Sequence, residues 1–214
     1  MRWLALLALL VGCDYVFKVN VRADAAPPEV PVGDEAGVTA EGCSDKTREG
    51  FTNGATYPRI AGCAGGWTMA GVNAISGPAC GRLAGNTSGN PTGAGCNAED
   101  LCQSGWHLCL SQADVAQASP TGCTDPGAPA NQFFVTRQSS DGAMCATGGL
   151  DDLFGCGTQG TQVAGFGCDP LDRTSGNLCS ALLVGGWICS DMQAEARTVL
   201  KTDVDGGGAL CCKN

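Results

Sequence analysis

The chain begins with a run of apolar residues that is too short to cross a membrane. Met1 and Arg2 are followed by nine apolar residues, 3–11, and then by Gly12 and Cys13. A helix needs about 20 apolar residues to span a hydrocarbon core of about 30 Å. A charged start, a short apolar run and a small residue before the cut are typical of a secretory signal peptide. The pattern therefore predicts an exported protein.

The end of this run indicates where the chain is cut. Residues 10–13, Leu-Val-Gly-Cys, resemble the bacterial lipobox, in which a lipid is attached to the cysteine and the chain is cut just before it. We therefore expect a signal peptide over 1–12 and a lipid on Cys13, whose several acyl chains make anchoring stable. The alternative is an ordinary signal peptide cut after Ala25, but that site lies well beyond the apolar run.

Residues 13–42 predict a lipidated cysteine followed by a tether. No cysteine occurs between positions 14 and 42, and the stretch 25–37 is rich in proline, small and acidic residues, which favours an extended chain. Apolar residues alternate with polar or small ones over 15–22, a period of two that suits a strand. With no partner strand evident, we interpret this stretch as a partly ordered tether near the membrane.

From residue 43 onward, short patterned segments predict a loop-rich α+β domain. Ser111, followed by Asp114 three residues later, resembles a capping box, and the small residues that follow predict a helix over about 111–119. The apolar and β-branched residues of 133–137 predict a strand.

The end of the chain predicts a hairpin. The segments 197–202 and 208–212 flank residues 203–207, in which Asp205 and Gly206 form a favourable turn pair.

Cysteine content determines the compartment and the framework. The 214 residues include 15 cysteines, 33 glycines and 10 prolines, a composition of small loop-rich domains held by disulfides in an oxidising space. Lipidation of Cys13 leaves an even number that can pair completely. Seven bridges at roughly 2 to 4 kcal/mol each would compensate for few large apolar side chains. We expect these cysteines to form the disulfides of one domain over 43–214: Cys43, Cys63, Cys80, Cys96, Cys102, Cys109, Cys123, Cys145, Cys156, Cys168, Cys179, Cys189, Cys211 and Cys212.

Net charge and cysteine spacing exclude two classes of partner. Twelve basic against 21 acidic residues give a net charge of −9, so the chain is repelled by nucleic acid and by anionic headgroups. The sequence contains a single histidine and no C-x-x-C pair, so we expect no structural zinc.

Two resemblances emerge from longer motifs. The segment CQSGWHLCLSQADV (102–115) and the terminal ALCCKN (209–214) resemble bacterial secreted domains related to the C-type-lectin-like fold. The phrases CSDKTREGF (43–51), YPRIAGCAGGW (57–67) and DLFGCG (152–157) resemble a set found together in uncharacterised cysteine-rich bacterial lipoproteins. The second resemblance covers nearly all of the domain and implies a location and a module rather than a reaction.

The lectin-like resemblance implies an architecture but not calcium-dependent sugar binding. Sugar-binding members of that fold use an E-P-N or Q-P-D triplet and a W-N-D triplet, which are absent here. The fold implies a first helix packed under a sheet whose final strand comes from the chain end. Cys211 and Cys212 then face opposite sides of that strand, one bridging to the helix region near Cys102, Cys109 and Cys123 and the other to a long loop.

Candidate catalytic groups are few. His107 is the only histidine, and with no free thiol or serine motif beside it we interpret it as a structural group under the start of the helix. Gly155, Gly157 and Gly160 spell G-x-G-x-x-G, but a cysteine-bearing loop in an exported chain does not favour a dinucleotide site.

Acidic and aromatic residues are the remaining candidates. Asp203 and Asp205 have a spacing used in calcium loops, so Ca²⁺ is the one cofactor considered, with a solvated turn as the alternative. Trp67 and Trp187 are candidate ligand-binding residues, with core packing as the alternative. Trp106 is the tryptophan most suited to the core.

Two functions remain open at this point. The first is an extracytoplasmic module anchored to the cell envelope by its lipid, at the outer membrane, the periplasm or the cell surface, binding a protein or a glycan. The second is a hydrolase of envelope or extracellular polymers that uses carboxylates such as Asp151, Asp152 or Asp172, because paired carboxylates can hydrolyse glycosides.

Overall fold

The computed structural model describes most of the domain beyond the tether. Described are residues 41–85, 89–124, 129–140, 152–159, 161–162, 168–174, 179, 182 and 184–214, all within the compact unit 38–214. The predicted signal peptide, the lipid site at Cys13 and nearly all of the tether lie outside these residues, as do Asp151 and Cys145. No helix in the described ranges has the length and apolar character needed to cross a membrane.

The described residues form an α+β domain, as predicted, and they contain more strand than helix. Its strands are β1 (Ile60–Ala64), β2 (Trp106–Leu108), β3 (Phe133–Ser140), β4 (Asp152–Gly157), β5 (Thr161–Gln162), β6 (Asp172–Arg173), β7 (Trp187–Ile188), β8 (Leu200–Lys201) and β9 (Gly207–Lys213). Its helices are α1 (Gln112–Ala118), α2 (Glu195–Thr198) and a 3-10 helix (Ala98–Leu101).

Strand β9 is an interior strand of the main sheet. The strand order is β1-β9-β3-β4-β6-β5, and β2 also pairs with β9. Antiparallel β1 occupies one edge of β9 over five residues, from Ile60 opposite Cys212. The other edge is shared by β3, which runs parallel from Phe133 opposite Gly207, and by antiparallel β2. Both edges of the final strand are therefore paired.

Two hydrophobic cores form because side chains alternate across this sheet. The first core lies on the face of Phe133, Val135 and Cys211, and contains Trp67 and Trp106. The second core lies on the opposite face and contains Phe134, Leu210 and Cys212, together with Phe51, Ile60 and Val115 of α1.

Gly155 shows how closely β4 approaches β3. A Cβ atom built at Gly155 would lie 2.0 Å from the carbonyl oxygen of Phe134. A side chain at this point therefore has no space. The first glycines of the G-x-G-x-x-G string thus belong to a buried strand rather than to a phosphate-binding loop.

Helix α1 confirms the predicted capping signal. Ser111 is its N-cap, and the Ser111 side chain accepts a hydrogen bond of 3.4 Å from the amide of Asp114. The predicted strand over 133–137 is also confirmed and continues to Ser140.

The predicted terminal hairpin is wrong. Part of its first arm is helix α2, and β8 pairs with β7 in a separate two-stranded sheet. The second arm is β9, whose edges are already taken by β1, β2 and β3. Residues 205–206 do form a turn, but β8 and β9 both lie antiparallel to the segment 60–67, so this turn does not join two strands of a hairpin.

Six disulfides between described residues hold the domain. They join Cys43 to Cys63, Cys80 to Cys96, Cys102 to Cys211, Cys109 to Cys212, Cys123 to Cys156, and Cys179 to Cys189. Cys168 is disulfide-bonded as well.

The adjacent cysteines of β9 bridge in opposite directions. Cys212 bonds Cys109, two residues before the cap of α1, which confirms the bridge to the helix region. Cys211 bonds Cys102, the cap of the 3-10 helix, instead of a long loop. That part of the prediction is wrong because β2, which follows Cys102 closely, pairs with β9 itself.

Candidate functional site

The two candidate tryptophans meet inside the first core. The rings of Trp67 and Trp187 pack edge to face with centroids 5.5 Å apart. Trp67 has no exposed surface and Trp187 only 9%. Because a ligand needs an accessible ring face, neither presents a stacking surface, and core packing is the role the structure gives them. Trp106 is buried as well.

The candidate aspartates converge on the same place around Lys201. The fully buried ammonium of Lys201 donates hydrogen bonds to the main-chain oxygens of Asp203 and Asp205, the second at 2.6 Å. It also lies 5.6 Å from the ring centroid of Trp187. The indole nitrogen of Trp187 in turn donates to the carbonyl of Gly206. The turn is therefore wrapped around a lysine.

The surroundings of Lys201 disfavour the protonated, charged form of its side chain. Burial lowers the pKa of Lys201 to about 7, although the negative charges of Asp203 and Asp205 partly oppose the shift. One carboxylate oxygen of Asp203 accepts from the amide of Asp205 at 3.2 Å. A calcium loop directs main-chain oxygens at its ion. In this turn, the main-chain oxygens of Asp203 and Asp205 accept hydrogen bonds from an ammonium group instead.

His107 is tied beneath the start of α1, as its structural interpretation predicted. Its Nε2 lies 2.9 Å from a carboxylate oxygen of Asp114, which also accepts from the amide of Leu110. Its Nδ1 lies 2.5 Å from the side-chain oxygen of Asn214. With both ring nitrogens engaged, the imidazole has no free position for a reacting proton.

The carboxylates proposed for hydrolysis lie on β4 and β6. Asp152 forms an ion pair of 2.6 Å with Arg173. Burial raises the pKa of the neighbouring Asp172 to about 6, and a backbone hydrogen bond from Gly157 partly opposes the shift. This shift brings the pKa of Asp172 closer to the range of a general acid.

Three clusters have metal-ligand spacing. They are Cys80, Cys96 and Asp100; Cys109, Asp114 and Cys212; and Cys179, Cys189 and Glu195. Every cysteine in them is disulfide-bonded. Since the thiolate is the form that ligates a metal, these clusters cannot supply sulfur ligands in the oxidised protein.

Two neighbouring cavities open at the surface and share the loop 75–77 as a wall. The first encloses about 320 Å³ and is lined by Ile75, Ser76, Gly77, Glu99, His107, Leu110, Arg137 and Asn214. The second encloses about 490 Å³, and besides the shared loop its lining includes Met69, Asn73, Asn97 and Arg197.

Asp100 holds the loop that follows this shared wall. Its carboxylate is fully buried and accepts hydrogen bonds of 2.8 to 2.9 Å from the amides of Ala79, Cys80, Arg82 and Asn97. The Asn97 side chain also donates to the carbonyl of Gly77 at 2.9 Å. The hydrogen bonds to the Asp100 carboxylate hold the segment that follows the wall, and the bond from Asn97 holds the wall itself at Gly77.

The charged groups of the cavities differ in how far they are engaged. Glu99 is buried; one oxygen lies 3.5 Å from Arg82 and the other accepts from the amide of Leu108. Arg137 is half-buried and donates to the carbonyl of Asn73 at 3.3 Å. Within the described ranges neither Arg137 nor the exposed Arg197 forms an ion pair.

Comparison with known proteins adds no family. No protein-family model matches the chain, and no solved structure matches it.

Sequence reasoning missed Lys201, Asp100 and Arg137. Asp100 had a local signal, since Asn97 three residues before it forms a capping box with it. Lys201 lies in the two-residue strand β8 and Arg137 in the longer strand β3, and the environment of each comes largely from segments distant in the sequence.

Proposed function

We propose that the chain is an extracytoplasmic binding module, anchored to the cell envelope through a lipid on Cys13. The observation that carries this proposal is a pair of adjoining cavities on a disulfide-fixed frame, beside a histidine whose ring nitrogens are both engaged. The disulfides are consistent with an extracytoplasmic location. A protein or a glycan is the expected ligand, and the net charge of −9 disfavours nucleic acid.

We also propose a C-type-lectin-like architecture and kinship with the cysteine-rich lipoproteins. Support comes from α1, which begins close after a cysteine bonded to the final strand, and from that strand being an interior strand of the sheet. The lectin-like fold hosts unrelated functions, so it supports a binding module without specifying its ligand.

The competing proposal is a carboxylate-based hydrolase of envelope or extracellular polymers. Asp172 favours it, because a pKa of about 6 suits a general acid. If this proposal is right, Asp172→Asn abolishes release of soluble sugars from isolated cell envelopes. The binding module predicts that the wild-type chain releases none.

The anchor is tested by substituting the cysteine that would carry the lipid. We expect the wild-type chain to partition into the detergent phase, and Cys13→Ser to give a soluble or unprocessed protein, because the acyl chains supply the membrane affinity. Tyr15→Ala, which leaves the lipobox intact, serves as the control and should behave like wild type. A processed Cys13→Ser protein that still fractionates with membranes would contradict the anchor.

A further inference from the structure

We propose that the two cavities sharing the wall 75–77 bind an acidic peptide segment of a partner protein, its carboxylates meeting Arg137 and Arg197. This inference rests on the proposed binding function and names the class of ligand.

The charge of the cavities is opposite to that of the chain. The protein carries a net charge of −9, yet Arg137 and Arg197 line these cavities without an ion-pair partner among the described residues. The one acidic side chain in the lining, that of Glu99, already contacts Arg82 and the amide of Leu108. Two arginines without carboxylates of their own are suited to carboxylates from a ligand, which guanidinium groups bind through paired hydrogen bonds.

The shared wall adds uncharged donors. Among the described residues none accepts a hydrogen bond from the backbone amides of Ser76 and Gly77. Asn73 is half-buried, and Ala74 and Ser76 are exposed. Successive amides in a loop are a recurrent feature of anion sites, and they lie between the two arginines because 75–77 lines both cavities.

The apolar groups around the cavities favour a peptide over a sugar. Every aromatic side chain of Phe, Tyr or Trp in the described ranges is buried, so the stacking platform that sugar rings use is absent from that surface. Met69 at the second cavity and Leu110 at the first are each 48% exposed. Flexible thioether and aliphatic side chains contact the aliphatic side chains of peptides.

The experiment measures peptide binding by the processed full chain in detergent, using fluorescence anisotropy. The probe is a labelled synthetic peptide, Leu-Glu-Ala-Glu-Leu, and the matched peptide is Leu-Gln-Ala-Gln-Leu. We expect the acidic peptide to bind more tightly. Arg137→Gln and Arg197→Gln should each weaken binding about tenfold or more, as loss of a charge-assisted hydrogen bond does.

Two further variants keep the test decisive. Ser76→Glu places a negative charge on the exposed shared wall without touching a buried group, and should abolish binding even if Arg137→Gln fails to fold. Arg59→Gln removes an exposed arginine outside both cavities and should leave binding unchanged.

Each contrary outcome overturns the inference. Equal affinity for the two peptides, an equal loss in Arg59→Gln, or unchanged binding in Ser76→Glu would show that the cavities do not recognise carboxylates. Tighter binding of a galacturonate oligosaccharide than of the peptide would make the ligand a glycan. Either result leaves the lipid anchor standing, because Cys13→Ser tests the anchor separately.

Discussion

At the scale of single residues, the domain buries two ionisable side chains whose charged forms would be better solvated in water. Lys201 is fully buried and Asp172 is 9% exposed. Burial moves their pKa values in opposite directions, to about 7 for Lys201 and to about 6 for Asp172. At pH values between these two, both side chains are largely charged inside the protein.

The two groups change stability with pH in opposite senses. The folded pKa of Lys201 is lowered, so its contribution to stability is present in full above the unfolded value of 10.5 and is lost as pH falls through about 7. The folded pKa of Asp172 is raised, so its contribution is present in full below 3.8 and is lost as pH rises through about 6. Together they predict a least favourable range near pH 6 to 7.

Denaturant unfolding of three proteins between pH 4 and 9 measures this prediction. Relative to Lys201→Met, the wild type should gain about 2 kcal/mol between pH 7 and pH 9. Relative to Asp172→Asn, it should lose about 2 kcal/mol between pH 4 and pH 6. Subtracting the free energy of unfolding of each variant from that of the wild type at the same pH removes the contribution of all other titrating groups. A difference that stays flat across its window would contradict the assigned burial of that side chain.

At the scale of elements, the close contact between β3 and β4 depends on one missing side chain. A Cβ at Gly155 would overlap the carbonyl of Phe134, which is backbone and cannot rotate away. We expect Gly155→Ala to destabilise the domain by about 2 kcal/mol or more, as overpacking of a core does. Thermal unfolding provides the measurement.

Gly77→Ala is the matched control for this substitution. A Cβ at Gly77 meets nothing within 4 Å, and the residue has no positive φ. Its melting temperature should therefore stay close to that of the wild type. Equal melting temperatures for wild type and Gly155→Ala would mean that β3 and β4 do not pair in this register.

Elements with local signals were predictable, whereas those defined by distant partners were not. Helix α1 carries its own cap in Ser111, and β3 carries its own run of apolar residues, so each could be recognised within a few positions. The hairpin failed because β9 pairs with β1, about 150 residues earlier in the chain, in preference to its neighbour β8. Nothing in a short window encodes that choice.

The same distinction applies to the candidate sites. The sequence singled out Trp67, Trp187, Asp203 and Asp205 as separate candidates, and the structure brings them together around Lys201. Whether such a group faces solvent depends on which distant segments pack over it. The local sequence pattern carries no information about those segments. The cavity arginines escaped notice for the same reason, since their lack of a carboxylate partner is a property of the folded surface.

At the scale of the whole molecule, cross-links supply stability that burial alone does not. All 13 cysteines in the described ranges are disulfide-bonded. At roughly 2 to 4 kcal/mol for each bridge, six bridges contribute as much as or more than the 5 to 15 kcal/mol of net stability typical of a domain. Reduction should therefore unfold the domain.

Thiol labelling and circular dichroism test this together. The denatured, unreduced mature protein should show no labelled cysteine among these 13. After reduction and alkylation at 37 °C, the near-ultraviolet signal of the buried tryptophans should disappear. A labelled thiol at any of these positions, or an alkylated protein that keeps its near-ultraviolet signal, would contradict the role assigned to the bridges.

The paired bonds of Cys211 and Cys212 also determine how the domain responds to tension. A pull applied between residue 43 and residue 213 passes from Cys102 to Cys211 through sulfur, so the residues between them bear none of the load. That bond spans 109 positions. Without it, unfolding of this segment under tension would release roughly 380 Å of extended chain at about 3.5 Å per residue. The second bond, on the opposite face of β9, prevents the strand from being peeled away from either side. Under tension, the disulfide between Cys102 and Cys211 keeps the two ends of the segment 102–211 together.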